Sequence, residues 1–213
     1  MTKDEFLDKV LAVLNDAGVA SSADDVMIVE GAENLRLIAE RLYPSAWRRA
    51  VGLFPNGWFC AKSFADSPVV CDAACGTGYT VLPEDYFVLL SFRMRGWKTN
   101  CVTAYEETES VNRKQGNEYT RGTPERPVCV LRKVLTDDVL RLALCYYSLP
   151  RTAEGAVHEI AEALYVPNVK RIDDVLDVDD RLIEPLVYLC ASAVLTSLEK
   201  FEAATQVEKM WLG

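Results

Sequence analysis

Glycine and proline divide this chain into segments of different character, and that division constrains the fold more than any other feature of the sequence. Six of the 11 glycines and four of the nine prolines lie between residues 56 and 127, where they separate short apolar pieces such as WFCAKSF, VVC and VCVLRKVL. Such punctuation is typical of short strands joined by turns. The flanking segments carry helical periodicity instead. This order of helices, strands and a final helix predicts an α+β fold.

The first quarter of the chain is predicted to be helical. Thr2 and Glu5 form a capping-box pattern and open a run of apolar residues at helical spacing. A second helix is predicted to begin near Ala32, and Pro44 is expected to interrupt it. We therefore assign residues 1–55 to an N-terminal helical region.

We assign residues 56–150 to a central β-rich insertion, arranged as an antiparallel sheet or a small sandwich. Its last apolar run, VLRLALCYYSL, is bounded by Asp138 and Pro150 and predicts a strand that is covered on at least one face. The polar stretch from Glu106 to Glu125 is expected to form a solvated hairpin or an arm that reaches a neighbouring molecule.

A long helix is predicted near the end of the chain. An acidic run leads into Asp180 and suits the positive end of a helix dipole, and an apolar stripe extends from there to Phe201. Pro185 is expected to kink the first turns unless the helix begins after Asp180. We assign residues 151–213 to a C-terminal segment that packs with residues 1–55 as one helical core.

The segment just before this helix has two interpretations. Residues 151–167 suit a short helix that ends before Pro167, although Gly155 weakens it. An extended piece over residues 163–166 fits the same sequence. The segment also holds His158, the only histidine of the chain, which we interpret as a half-buried or surface side chain rather than a catalytic base.

The composition narrows the classes of function. The formal net charge is −9 over 213 residues, which argues against a protein that binds nucleic acid by neutralising phosphates. An acidic wall is compatible with a conduit through which DNA slides without sticking. No run approaches the roughly 20 apolar residues of a membrane helix, and the acidic start is unlike a signal peptide. We expect a soluble protein made inside the cell.

The cysteines predict neither disulfides nor a metal site. They are seven in number, lie largely in apolar runs and include no CxxC pair. Their closest pair, Cys71 and Cys75, has no histidine nearby at zinc-ligand spacing. We expect reduced, mostly buried thiols and no metal.

One segment supports an enzymatic hypothesis. The sequence DAACGTG follows the apolar piece VVC and resembles the first motif of class I methyltransferases, which holds S-adenosylmethionine. Glycines at such positions let the backbone approach a cofactor without clashes from Cβ atoms. On this hypothesis Asp72, Gly76 and Gly78 bind the cofactor.

The sequence after these glycines favours another interpretation. A methyltransferase needs a helix there, yet Pro83 falls where the first turns of that helix belong. The fold also needs a second strand that ends in an acidic residue about 20 residues further on, and Glu106 comes later than that. In the alternative interpretation the glycines shape a turn between strands, and no cofactor is bound.

Several short patches between residues 80 and 205 share a recognisable organisation. They comprise Leu82, Pro83, Asp85, Tyr86, Gly96, Trp97, Asn117, Tyr119, Thr120, Arg121, Gly122, Thr123, Pro124 and Pro127, followed by Tyr165, Val166, Pro167, Asp180, Leu182, Ile183, Pro185 and Leu186. Together they resemble the head-to-tail ring (neck) proteins of crAss-like tailed bacteriophages.

This resemblance implies a structural virion protein that is made in the host cytoplasm. It implies assembly as a closed ring of about twelve copies, beneath the portal at the capsid vertex or within the tail barrel. DNA would pass through the central channel without sequence-specific binding. The implied partners are other copies of the chain, the portal and other ring or tail proteins, with no membrane.

Three residues of these patches are candidates for the contact between subunits. Trp97 and Tyr119 offer large contact area at low entropic cost, and Arg121 is suited to pairing across a subunit boundary. Trp97 has an equally good interpretation as a core residue of its own subunit. A ring built from one protein needs two different, complementary patches on each subunit.

The leading hypothesis is therefore a non-enzymatic assembly protein without a cofactor. A small S-adenosylmethionine-dependent methyltransferase is the alternative. An adaptor unrelated to virions is a third hypothesis, because patterning does not show what a surface binds.

Overall fold

The computed structural model describes residues 1–18, 25–72, 75–149 and 158–212. The chain divides into two compact units, one formed by Met1–Cys60 with Asn168–Gly213 and the other by Ala61–Pro167. Within the described ranges the elements in chain order are α1 (Lys3–Asp16), α2 (Asp25–Leu53), β1 (Lys62–Ser63), β2 (Val69–Asp72), β3 (Thr77–Val81), β4 (Tyr86–Met94), β5 (Ala104–Glu106), α3 (Ser110–Gln115), β6 (Cys129–Thr136), β7 (Val139–Tyr146), β8 (Ile160–Pro167), α4 (Asp180–Ser197) and α5 (Phe201–Leu212). The α+β class, with helices before and after a β-rich region, is confirmed.

The helical unit is built from α1, α2, α4 and α5. The predicted capping box starts α1: the Glu5 amide donates to Thr2 Oγ1 at 3.2 Å, and the Thr2 amide donates to Glu5 Oε2 at 2.9 Å. Apolar side chains from α1, α2 and α4 fill one core, including Phe6, Leu7, Val10, Leu14, Tyr43, Trp47, Leu182, Leu186, Leu189 and Val194. None of the described helices is long and apolar enough to cross a membrane.

The prediction that Pro44 interrupts the second helix is wrong. Helix α2 begins at Asp25 rather than near Ala32 and continues through Pro44 to Leu53. The neighbouring Tyr43 and Trp47 are both 3% exposed. Burial of these aromatic side chains offsets the backbone hydrogen bond that proline removes from a helix.

The predicted long C-terminal helix is confirmed as α4, and a second helix, α5, follows it. Helix α4 begins at Asp180 and contains Pro185, and it ends at Ser197. Glu199 then adopts a left-handed conformation with φ of 61°, so that α5 starts in a new direction. The apolar pattern runs through this break without a glycine to mark it, which is why the sequence indicated a single helix.

The β-rich unit contains two sheets. One has the strand order β1-β8-β4 and is antiparallel, and the other has the order β2-β3-β7-β6-β5, in which only β5 and β6 pair in parallel. Both sheets contribute side chains to one core, which includes Leu89, Phe92, Met94, Trp97, Cys129, Leu144, Tyr146, Ala163 and Tyr165. The rings of Phe92 and Tyr146 lie 5.5 Å apart and join the two layers.

Three local expectations in this region have clear outcomes. The extended interpretation of the segment before Pro167 is confirmed by β8, while residues 150–157 lie outside the described ranges. The piece WFCAKSF is a short 3-10 turn followed by a strand of only two residues. The stretch from Glu106 to Glu125 is not a hairpin, because it contains the helix α3.

We predict that Glu208→Gln destabilises the protein by about 1 kcal/mol at neutral pH, a magnitude limited by the half-exposed position of its partner Arg49. The Glu208 carboxylate accepts hydrogen bonds from Arg49 Nη2 at 2.8 Å and from Ser192 Oγ at 2.6 Å. Its pairing with Arg49 lowers the pKa of Glu208. This contribution is therefore present above the unfolded-state pKa and is lost as pH falls through the lower folded-state pKa.

Urea unfolding of both variants between pH 7 and pH 3 measures this difference. The exposed Glu33→Gln is the matched control and is expected to leave stability unchanged across the same range. A difference for Glu208→Gln that persists undiminished at pH 3 would contradict the role assigned to the ion pair.

Candidate protein interaction surface

The β6–β7 hairpin extends well beyond the sheet to which it belongs. Strand β5 pairs with β6 only as far as Leu131, and β3 pairs with β7 only as far as Ala143. Between these positions and the turn, β6 and β7 pair only with each other among the described residues. One further backbone hydrogen bond is present, in which the Leu82 amide donates to the Leu142 carbonyl at 2.9 Å. We call residues 133–142 the hairpin arm.

The hairpin arm exposes four large apolar side chains, Leu135, Val139, Leu140 and Leu142, beside the charged Lys133 and Arg141. Leu135 and Leu140 lie opposite each other in the register and are 65% and 66% exposed. They share a face with the paired Leu131 and Leu144, of which Leu144 is fully buried in the core. The core-facing side of the sheet thus continues outward to Leu135 and Leu140, which the described residues of the chain leave largely uncovered.

The turn of the hairpin arm carries two negative charges. Asp137 and Asp138 both have positive φ values, 51° and 60°. This pair of left-handed residues is the type I′ geometry that matches the twist of a two-residue hairpin, and aspartate tolerates it better than most side chains. The arm therefore ends in an acidic tip, which we define as Asp137 and Asp138.

A second exposed feature is the loop of residues 117–121, which we call the Tyr119 loop. The Tyr119 side chain is 95% exposed. The loop is nevertheless closely held: Asn117 Oδ1 accepts from the Tyr119 amide at 2.9 Å, and Thr120 Oγ1 donates to the Lys114 carbonyl at 2.8 Å. An aromatic side chain is thus presented to solvent on an ordered turn.

Arg121 anchors the Tyr119 loop to the sheet. Its Nη1 donates to the Cys75 carbonyl at 2.6 Å, in the turn between β2 and β3. Next to it, the Gly122 amide donates to the buried Gln115 side chain at 2.8 Å. A Cβ at Gly122 would lie 2.5 Å from Ser148 Oγ, so glycine is required for this close approach. In this structure the Arg121 guanidinium is engaged within its own subunit.

Trp97 does not lie on the surface of its unit. Its side chain is 4% exposed and its ring lies 5.6 Å from Phe92 and 6.0 Å from Tyr146. Of the two interpretations given for Trp97, its burial in the core of the β-rich unit fits the core residue rather than the interface contact.

Of the DAACGTG segment, Asp72 and residues 75–78 lie in an antiparallel hairpin. Asp72 ends β2 and its Oδ1 accepts from the Cys75 amide at 3.1 Å, and Gly76 has a positive φ of 68°. After the turn, β3 pairs antiparallel with β2. The strand, turn and helix that a methyltransferase loop requires are thus not what residues 69–72 and 75–81 form, while residues 73–74 lie outside the described ranges.

Gly78 has a packing role in that hairpin. A Cβ at this position would lie 2.7 Å from Cε2 of Tyr146 and 2.9 Å from the Val70 carbonyl oxygen. The Tyr146 ring occupies this space, and its hydroxyl lies 3.7 Å from Cys71 Sγ. The glycine is therefore explained by a tyrosine that lies across it rather than by a cofactor.

A pocket of about 340 Å³ lies beside this hairpin, and Arg132, Cys145 and Tyr147 are among its lining residues. The Arg132 guanidinium lies over the Tyr147 ring, 5.8 Å from its centroid. Burial raises the pKa of the Cys145 thiol, which keeps it protonated and a poor nucleophile at neutral pH. Among the described residues, no group of three or more histidine, cysteine or carboxylate side chains is placed to hold a metal ion.

Sequence reasoning missed the hairpin arm. The piece VLRLALCYYSL was predicted as a covered strand, and β7 is confirmed, but its first four residues are exposed. A usable signal was present: the pair Asp137 and Asp138 between two Val-Leu pieces is the pattern of a two-residue hairpin. The exposure itself has no sequence signal, because it depends on where the neighbouring strands end.

In comparisons with known proteins, no family model and no curated protein matches the sequence. The class that the fold itself defines is a two-unit α+β protein whose β-rich unit carries an exposed apolar arm. The arm and the Tyr119 loop are the features on which a function is proposed below.

We predict that Gly78→Ala destabilises the protein by about 1–3 kcal/mol, the usual effect of overpacking a filled core. The new methyl group would displace the Tyr146 ring or the β2 backbone. Gly57→Ala is the matched control, because a Cβ there meets nothing within 4 Å. Thermal and urea unfolding measure both, and equal stability of the two variants would contradict the packing role of Gly78.

Proposed function

We propose that this chain is a non-enzymatic assembly protein, a subunit of an oligomeric ring in the portal, neck or tail connector of a tailed bacteriophage, around a channel for DNA. The observation that carries the proposal is the hairpin arm, with its exposed leucines beyond the end of the subunit's own core. The resemblance of residues 80–205 to ring proteins of crAss-like phages supports the same function.

An exposed arm of this kind is unfavourable in an isolated molecule. A two-stranded hairpin alone is marginally stable in water, and a leucine that becomes fully buried gains about 1.5–3 kcal/mol. Open strand edges also invite pairing with other chains. A neighbouring subunit that covers Leu135 and Leu140 would bury the leucines, support the hairpin and occupy its open strand edges.

The charge of the chain is consistent with a wall around a DNA channel. A net charge of −9 disfavours lasting contacts with phosphates, so DNA can move past without being retained. The proposed location is the virion, after synthesis in the host cytoplasm. The proposed partners are other copies of the chain and the portal, ring and tail proteins next to it.

We predict that Leu135→Ser combined with Leu140→Ser abolishes ring assembly without lowering the unfolding temperature of the subunit. Both side chains are exposed in the subunit, so their loss removes contact area only where a partner covers them. Negative-stain electron microscopy and light scattering of the purified chain measure assembly. Leu37→Ser, at a position 60% exposed on α2, is the matched control and is expected to assemble normally.

Two results would overturn the proposed function. One is a wild-type chain that stays monomeric at high concentration and is absent from phage particles. The other is a monomer that binds S-adenosylmethionine in a thermal-shift assay, which would favour the enzymatic alternative.

A further inference from the structure

The hairpin arm and the Tyr119 loop lie at opposite ends of the five-stranded sheet. Strand β7 begins beside the acidic tip and ends at Tyr146, which pairs with Gly78. The β2–β3 turn lies just beyond that end, and Arg121 is bound to it through the Cys75 carbonyl. Since β6 has eight residues, the two features are separated by about 25 Å along the strands.

The tip of the arm and the cations beside the Tyr119 loop carry opposite charges, although Lys133 and Arg141 make the arm as a whole neutral. The arm ends in the acidic tip, whereas the exposed side chains beside the Tyr119 loop include the cations Arg113, Lys114 and Arg126. The same end also carries two carboxylates: Glu118 lies within the Tyr119 loop, and Glu125 pairs with Lys98 at 3.0 Å. The cations at the end with the aromatic side chain therefore attract the acidic tip.

We infer that the hairpin arm of one copy docks on the Tyr119 loop of the next copy. In this contact Tyr119 packs against the leucines of the arm, and the acidic tip lies against Arg113 and Lys114. The inference rests on the proposed function, and it assigns the two sides of the ring contact.

A head-to-tail contact fits these features better than contact between like ends. Two arms that met tip to tip would bring four aspartates together, and like charges at an interface weaken association. When unlike ends meet, every row of subunits has a free arm at one end and a free Tyr119 loop at the other. The row closes into a ring when the rotation between neighbouring subunits brings these two ends together. Tyr119 is suited to be a central anchor because its loop is ordered before binding.

The native thiol of Cys75 makes this arrangement testable, because it is exposed and lies beside the end that carries the Tyr119 loop. A chain with Leu140→Cys and Cys75→Ser carries an engineered thiol on the arm and lacks the exposed thiol of Cys75. It is mixed with the wild-type chain, and a short bismaleimide is added under conditions in which rings form. We expect a covalent dimer in this mixture.

Two control reactions define the result. The Leu140→Cys, Cys75→Ser chain alone and its mixture with a Cys75→Ser chain are both expected to stay uncrosslinked, since each lacks one of the two thiols. Equal cross-linking of the arm-thiol chain with itself would overturn the inference, because it would mean that arms meet arms. Rings that form in every mixture without any cross-link would also overturn it while leaving the proposed function intact. If neither rings nor cross-links form, both fail.

We further predict that the acidic tip and the basic residues Arg113 and Lys114 contribute to ring assembly through contact with each other. Asp137→Asn with Asp138→Asn keeps side chains that tolerate positive φ, and Arg113→Gln with Lys114→Gln removes the opposing charges. Each of these double variants is expected to raise the concentration at which rings form about tenfold. The variant that carries all four substitutions is expected to raise it by much less than a further tenfold, because the effects of groups in contact are not additive.

Light scattering over a dilution series measures this concentration at low and high salt. Lys170→Gln with Arg171→Gln is the matched control, because these are also adjacent exposed cations but lie in the helical unit. Fully additive effects of the tip and loop variants would show that the two surfaces do not touch.

Discussion

The packing of Tyr146 between the two sheets is the interaction on which the β-rich unit depends. Its ring is fully buried, contacts Phe92 and Trp97, and lies across Gly78 to bring its hydroxyl near Cys71. One side chain therefore joins β7 to the opposite sheet and fixes the approach of the β2–β3 hairpin. Tyr146 lies at the centre of this core, and β7 extends beyond the edge of the core.

The end of the core decides which part of the chain is available for binding. Leu144 and Leu140 lie on the same face of β7, four residues apart, yet the first is buried and the second is 66% exposed. The difference arises because β3 stops pairing at Ala143. The exposed leucines extend beyond the part of the sheet that pairs with other strands. This is the physical basis for proposing that a neighbouring subunit covers them.

Much of the architecture could be predicted from local patterns. The capping box at Thr2, the turn-rich middle and the acidic start of a helix at Asp180 each depend on residues close together in the sequence, and each is found in the structure. The failures have tertiary causes. Pro44 lies inside α2 because its buried aromatic neighbours stabilise the helix. Glu199, just after α4, has a positive φ that a glutamate residue does not predict.

The candidate site shows the same division. The sequence by itself determined the order of the helical and strand-rich regions, the acidic character of the chain and the two-residue turn at Asp137 and Asp138, because these follow from side-chain chemistry and short-range geometry. Only the tertiary structure decided that Trp97 is buried, that Tyr119 is presented on an ordered loop, and that the hairpin arm stands clear of the sheet. Exposure depends on which distant strands end nearby, and no local pattern carries that information.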